Sequence, residues 1–276
     1  MTNSEEQSKV QAAYKGAASV YHHSSGGDYQ RSSARHLLAD LHPRPNPGEK
    51  VLDLGCGTGI ALFTLLELYP EVGPLVGLDL SPQMLETAKI EAATLDHDIT
   101  WLEGDAQNLP FGAESFELII SHNAFHWFPD RPKALQEIKR VLKAGGRVAM
   151  AFEGEGARQN SLGIRHRVLT KHGLKPPPGF GPGAGEAWNS VIRVEKLLET
   201  AGFKNAEVWG RQSYQYLPPE VFMMQFRSTS AYWAAGLSPD KTAEILEEMR
   251  LEIEFQTTEK GFREVLFPIN LIARKE

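Results

Sequence analysis

Val51-Leu-Asp-Leu-Gly-Cys-Gly-Thr-Gly59 decides the fold: an apolar strand carrying one acidic residue runs straight into a glycine-rich turn. Glycine at 55, 57 and 59 lets the backbone turn tightly and bring main-chain N–H groups against a ligand, where a β-carbon would block the approach. The next segment, Ile60 to Tyr69, reads as a helix. Strand, glycine turn and helix in that order predict a nucleotide-type ligand at the first crossover of an open α/β sheet. Spacing separates two ligand classes. A dinucleotide fingerprint needs G-x-G-x-x-G with a pyrophosphate on the helix N-terminus. Here the glycines run G-x-G-x-G, and Ile60 stands where the third would fall. Asp53, just upstream, would repel a pyrophosphate but attract an ammonium group.

Leu75-Val-Gly-Leu-Asp-Leu80 predicts a second strand ending in Asp79, at the distance where α/β nucleotide folds place the carboxylate that binds ribose hydroxyls. A carboxylate only accepts and has room for two donors, which suits a vicinal diol. Ser81-Pro82 predicts a helix start, with Ser81 as N-cap and Pro82 at the first position. Met84, one turn in, faces back toward the strand end, either to cover an adenine ring or as ordinary core. A third strand, Ile99 to Glu103, leads into Gly104-Asp105-Ala106 and the turn Asn108-Leu-Pro-Phe111. A fourth, Phe116 to Ile120, ends in Ser121-His-Asn-Ala-Phe-His-Trp-Phe128. Strand ends on this edge line the crevice in which open α/β sheets bind ligands.

Taken in sequence, these motifs resemble the class I S-adenosylmethionine (SAM) methyltransferases, in particular the small-molecule enzymes related to trans-aconitate and malonyl-carrier-protein methyltransferases. The resemblance covers about residues 48 to 153. It implies SAM as cofactor and an α/β, Rossmann-like, doubly wound seven-stranded sheet with its last strand antiparallel, plus an N-terminal helical flap and helical insertions. It implies cofactor contacts from Asp53, Gly55, Cys56 and Gly57, from Asp79, Leu80 and Met84, from Gly104, Asp105 and Ala106, and from Ser121 and His122. Asp105 would take the adenine amino group. Tyr14-Lys-Gly-Ala-Ala-Ser-Val-Tyr21 resembles the flap that folds over SAM in this family. Tyr14 and Tyr21 would reach the sulfonium or the carboxylate head by cation–π attraction or a phenol hydrogen bond, or else anchor an amphipathic helix. Arg31, in preference to Arg35, would pair with the SAM carboxylate as a guanidinium fork.

Methyl transfer proceeds by in-line attack on carbon, so an already nucleophilic acceptor needs mostly alignment and desolvation. A hydroxyl acceptor adds a use for a general base, and histidine is the usual choice near neutral pH. His122 and His126 flank the end of strand four and are the catalytic candidates; His126, in its His-Trp-Phe context, reads equally as a packing residue. No metal is expected, because the acidic residues near strand four lack paired carboxylates at ligand spacing. Cys56 is the only cysteine, which rules out an intramolecular disulfide. It reads as a small buried residue beneath the loop.

A formal charge of −6 without a basic block argues against a nucleic-acid acceptor. Lys139, Arg140, Lys143 and Arg147 come nearest to a basic cluster and read as a solvated helix face. The N-terminus lacks a basic-then-apolar signal, and no apolar run approaches the roughly 18 residues of a spanning helix, so a cytoplasmic protein without membrane association is expected. The expected partner is a small-molecule acceptor; no oligomeric state is assigned.

Proline and glycine boundaries and the strand–helix pattern, together with what the resemblance implies, divide the 276 residues as follows. Residues 1–47 form the helical flap, ending in Pro43-Arg-Pro-Asn-Pro47, and 48–153 the SAM-binding core. Residues 154–187 form an insertion with a helix near Ser161 to His172 and a Pro/Gly-rich loop, and 188–216 continue the core with strand six from about Ala206 to Tyr216. Residues 217–260 form a helical insertion over the active site, with helices from about Pro219 to Ala235 and Pro239 to Thr257, and 261–276 carry the last strand, Arg263 to Ala273. In the second insertion Phe222, Met223, Met224, Phe226, Tyr232 and Trp233 recur with helical period, either as a face packed on the sheet or as an apolar substrate wall. The leading function is methyl transfer to a small-molecule O, C or N acceptor. A carboxylate O-methyltransferase acting on an acyl carrier or a free acid is the alternative, with Arg158, Arg165 and Arg167 as its cationic clamp. A SAM-binding protein without transfer activity is a third reading; a NAD(P) oxidoreductase is opposed by Ile60 and Asp53.

Overall fold

The computed structural model describes residues 25–154, 159–175, 189–228 and 230–276. Tyr14, Tyr21 and Arg158 lie outside them. The chain begins its described course with α1 (Ser25–Ala39), then alternates strand and helix: β1 (Val51–Leu54), α2 (Ile60–Leu68), β2 (Leu75–Asp79), α3 (Pro82–Ala92), β3 (Ile99–Glu103), β4 (Phe116–His122), α4 (Arg131–Val141) and β5 (Leu142–Glu153). Seven strands form one sheet in the order β3-β2-β1-β4-β5-β9-β6. Strands β1 to β5 pair in parallel, and β9 (Pro268–Arg274) runs antiparallel between β5 and β6 (Lys204–Gly210). The doubly wound sheet with its last strand antiparallel is therefore present.

Burial explains the order. All four residues of β1 are buried, as an interior parallel strand covered on both faces demands. On one face α1 and α2 pack Ala34, Leu37, Leu38 and Leu62 against Val51, Leu118, Ile120 and Ala149. On the other face α4 and α6 (Val191–Thr200) bring Leu135, Ile138, Val194 and Leu198 to Leu52, Ile119, Met150 and Phe152. Helix α2 is buried along seven consecutive residues, Ile60 to Leu66, because it lies between the sheet and α1.

The C-terminal half departs from the expectation of two continuous strands. Strand six divides into β6 and β7 (Ser213–Leu217), and the last strand into β8 (Phe262–Leu266) and β9; β7 and β8 pair as a separate antiparallel ribbon. Phe267 is the wedge. A β-carbon at Gly210 would lie 2.7 Å from its ring, and one at Gly154 also 2.7 Å from it, so both glycines exist to admit that ring. The ribbon then leaves the sheet at its carboxyl edge, where Glu153 pairs with Pro268 and Gly210 with Ile269.

The two insertions form one cap with its own core. Helices α5 (Gln159–Lys171), α7 (Pro219–Ser228) and α9 (Pro239–Gln256), with the short α8 (Ser230–Trp233), bury Ile164, Leu169, Phe222, Phe226, Trp233 and Met249 together with Phe262 of β8. Phe222, Met223, Phe226 and Trp233 thus pack against the other cap helices rather than on the main sheet. The helix expected from about Pro219 to Ala235 is helical at each described position through Trp233. Glu264 of the ribbon seats α5, its carboxylate accepting from Asn160 N at 3.1 Å and Ser161 N at 3.0 Å, which satisfies two of the N–H groups a helix start leaves open.

The four basic residues read as a solvated face are each committed within the protein. Lys139 donates to Gly202 O, Arg140 to Glu137 and to the carbonyls of Leu109 and Phe111, Lys143 to Glu117, and Arg147 to Glu49. Arg147 is buried.

Close packing beneath the glycine turn gives a stability test. A β-carbon at Gly77 of β2 would lie 2.5 Å from Trp101 and 3.0 Å from Cys56 Sγ, whereas one at Gly112 meets only Ser115 Oγ at 3.8 Å. Gly77→Ala is expected to cost about 1–3 kcal/mol in denaturant unfolding, and Gly112→Ala to stay within about 0.5 kcal/mol.

Candidate active site

The carboxyl ends of β1, β2 and β4 converge on the glycine turn. Gly55, Gly57 and Gly59 all have positive φ, at +72°, +53° and +85°, and the turn delivers the chain into α2 without a side-chain cap. The three differ in what surrounds them. A β-carbon at Gly55 would strike Ala124 at 2.4 Å and one at Gly59 would strike Phe63 at 2.7 Å, but at Gly57 no atom of the described residues lies within 4 Å. Gly55 and Gly59 therefore serve packing, and Gly57 faces open space.

Asp79 locks this turn. Its Oδ2 accepts from Gly57 N and its Oδ1 from Ser81 N, both at 2.8 Å. Burial raises its pKa, and those N–H groups, with that of Leu80, offset part of the rise. The carboxylate keeps lone pairs for further donors. Ser81 caps α3 through Met84 N at 3.4 Å, with Pro82 in the first turn, and Met84 is buried beside the strand end.

Asp53 is the electrostatic anomaly. It is 1% exposed, and neither carboxylate oxygen has a hydrogen-bond partner among the described residues. Burial first, and the charge of Asp79 second, push its pKa well above the ordinary value. A buried carboxylate with no donor is costly, and a cation placed there removes the cost.

On the β3 side, Gly104 packs over Leu78 and donates its N–H to Asp79 O at 3.0 Å. Ala106 is buried, and Asp105 Oδ1 accepts from Gln107 N at 2.9 Å and Gln107 Nε2 at 3.1 Å. Cys56 packs below the turn, its thiol pKa raised by burial and by the nearby carboxylates, so it stays protonated.

At the end of β4, Ser121 is fully buried and donates its hydroxyl to Leu54 O at 2.7 Å, tying β4 to β1 beneath the crevice. His122, next in the chain, has its Nε2 enclosed without a partner among the described residues, and burial lowers its pKa to about 4. His126 lies in the 3₁₀ turn Phe125–Trp127, buried with its ring 5.3 Å from that of Trp127, and its carbonyl accepts from Arg131 at 2.9 Å. His122 thus presents a polar atom with no partner among the described residues, while His126 is bound into the turn by packing and main chain.

Helix α1 reaches the same edge. Asn123, at φ +53°, donates from Nδ2 to Gln30 Oε1 at 2.5 Å, which brings the turn of α1 bearing Arg31 beside the end of β4. Arg35 instead pairs with Glu67 of α2 at the surface. Sequence reasoning missed Gln30, Asn123, Gln107 and Arg131. For Asn123 a signal existed, since asparagine at a strand end tolerates left-handed backbone; a lone glutamine or arginine carries none. Among the described residues no three His, Cys, Asp or Glu side chains gather as a metal site, and no helix is long and apolar enough to cross a membrane.

Comparison with known proteins bears on this geometry. Residues 52–150 match the Methyltransf_11 family, a methyltransferase domain. The chain is 28% identical over 229 residues to the malonyl-[acyl-carrier protein] O-methyltransferase of Paenibacillus sp. (strain JDR-2), covering 78% of this chain and 80% of that one. It spans under half, 46%, of the demethylmenaquinone methyltransferase of Staphylococcus epidermidis. Among solved structures, phosphoethanolamine N-methyltransferase 2 of Haemonchus contortus, bound to phosphomonomethylethanolamine and S-adenosylhomocysteine, shares the fold with a TM-score of 0.57 at 15% identity, over 97% of this chain and 60% of that one. The ubiquinone/menaquinone biosynthesis C-methyltransferase of Rhizobium etli is 37% identical over 180 residues, 64% of this chain and 68% of that protein. A likeness of that extent makes this chain a member of the class I SAM-dependent methyltransferases.

Proposed function

We propose that the enzyme methylates a neutral, hydroxyl-bearing small molecule, a phenol or an enol, with His122 as hydrogen-bond partner and base for the acceptor. The observation that carries this reading is the state of His122: a ring kept neutral by burial, with Nε2 enclosed and without a partner among the described residues. In the tautomer protonated at Nδ1, that nitrogen offers a lone pair, and a hydroxyl is the group that satisfies it. A carboxylate would bring an acceptor to an acceptor.

The residues present fit SAM on two counts: an orphaned buried carboxylate at Asp53 matches its ammonium group, and the open side of Gly57 leaves room for its close approach. In this assignment Asp53 pairs with the ammonium, Asp79 takes the ribose hydroxyls through its spare lone pairs, Asp105 takes the adenine amino group, and Met84 and Ala106 flank the ring. Arg31 serves the carboxylate head. Ser121 and Cys56 act from beneath, by holding β4 and the turn in place. When bound, SAM supplies a methyl carbon made electrophilic by its sulfonium. His122 accepts the hydroxyl proton as the acceptor oxygen takes the methyl, and returns it to solvent. Methylation at a conjugated carbon uses the same base, with the ring proton lost afterwards. The relatives divide along this line, one an O-methyltransferase and another a C-methyltransferase.

The carboxylate alternative rests on the malonyl relative and on a cationic clamp. Arg167 lies on the exposed side of α5 against Glu252 at 3.4 Å, which leaves Arg165, buried in the cap, as its described cation. Incubation with SAM and a panel of phenols, enols, amines and carboxylic acids, read as S-adenosylhomocysteine formed, tests the choice. Turnover of phenols or enols supports the proposal; turnover of carboxylic acids alone replaces it with the alternative.

Two further outcomes are expected. Because His122 protonates only near pH 4, well below the ordinary imidazole value of 6.5, kcat/KM should stay flat as pH falls through 6.5 and be lost only as it nears 4. His122→Ala should lower kcat about 100-fold or more; a wild-type rate would remove His122 from catalysis. Burial and the charge of Asp79 raise the Asp53 pKa in the free protein, and a bound ammonium pulls it down. S-adenosylhomocysteine should therefore bind more weakly as pH falls through the raised value, and binding should release a proton. Calorimetry in buffers of different ionisation heat should show that release in the wild type and none in Asp53→Asn. Persistence of the release in the variant would exclude Asp53 as the ammonium partner.

A further inference from the structure

Gln107 is a buried polar side chain, 4% exposed, for which the proposed chemistry has no use. Its Nε2 donates to Asp105 Oδ1 at 3.1 Å and more weakly to Oδ2 at 3.4 Å, and its main-chain N–H donates to the same Oδ1 at 2.9 Å. Its Oε1 accepts from Asp130 N at 2.9 Å. Asp130 in turn caps α4 through Lys133 N at 3.0 Å, and Arg131 beside it holds the His126 carbonyl at 2.9 Å. One amide therefore joins the Gly104-Asp105-Ala106 loop after β3 to the turn after β4.

The two ends of this amide are not interchangeable. The N–H₂ end must face the carboxylate and the carbonyl end must face the Asp130 N–H, because the reverse setting would oppose acceptor to acceptor and donor to donor. Two donors from Gln107 restrain the Asp105 carboxylate in rotation. Loss of the side-chain donor would loosen Asp105, and a hydrogen bond to a ligand would then carry more of the entropy of fixing it.

We propose that Gln107 is a positioning residue: it aims Asp105 at the adenine amino group and, through Asp130, sets the turn that carries His126 in register with the cofactor loop. The proposal rests on the reading of Asp105 as the adenine partner. Its signature is selectivity for the exocyclic amine of the base, which a merely structural residue would not govern.

The test is calorimetric binding of S-adenosylhomocysteine and of S-inosylhomocysteine, in which a carbonyl replaces that amine, to the wild type, Gln107→Met and Gln107→Glu. The wild type is expected to prefer the adenine ligand, and Gln107→Met to narrow that preference about tenfold, the scale of one hydrogen bond to a charged group. Gln107→Glu keeps an acceptor for Asp130 but sets a second carboxylate against Asp105. Its preference should be reduced at about pH 8 and return toward the wild-type ratio at about pH 5, as the two carboxylates come to share a proton. No preference in the wild type would overturn the adenine reading of Asp105 itself. A wild-type preference that survives in both variants, or an equal loss of both ligands in both, would overturn the role of Gln107 alone.

Discussion

The hydrogen bond from Gly57 N to the Asp79 carboxylate is the constraint on which the site depends. It joins the turn after β1 to the end of β2, and it can form only because the chain adopts left-handed backbone at Gly57. Once that turn is placed, α2 must start at Ile60, Gly59 must pack against Phe63 and Trp101, and Gly77 must stay bare beneath Cys56. The same bond holds Asp79 where its charge reaches Asp53. Geometry and electrostatics in the crevice thus share one origin.

The molecule solves two problems with two cores. The sheet is covered by helices on both faces, and the residues drawn to the cofactor lie at its strand ends or on the helix turns beside them. The cap buries its own cluster and is anchored by β7 and β8, which extend from β6 and β9 past the Phe267 wedge. Glu264, fully buried in that ribbon, seats α5 by its N–H groups, so the ribbon positions the cap as well as supporting it.

The N-terminal half could be read from residues alone because its signals are local. The glycine turn, the acidic strand end and the Ser81-Pro82 start each specify a backbone geometry within a few positions, and parallel strands buried on both faces are written as apolar runs. The C-terminal half resists such reading. Whether Ala206 to Tyr216 forms one strand or two depends on Phe267, more than 50 residues away, whose ring meets Gly210 only after folding. Whether Phe222 and Trp233 face the sheet or each other depends on where α5 and α9 dock. The same holds for Arg140, which reads as a surface cation yet grips the carbonyls of Leu109 and Phe111.

Asp53 and Asp79 have a kinetic consequence of their own. On the assignment proposed for them, the groups they hold, an ammonium and a ribose diol, are unchanged by the reaction, as is the adenine at Asp105. The demethylated product therefore carries every feature this half of the crevice was built to grip, and departs with no loss of contact to hasten it. An enzyme so constructed responds to the ratio of spent to fresh methyl donor rather than to the donor alone, and its steady output depends on how quickly its surroundings clear the by-product.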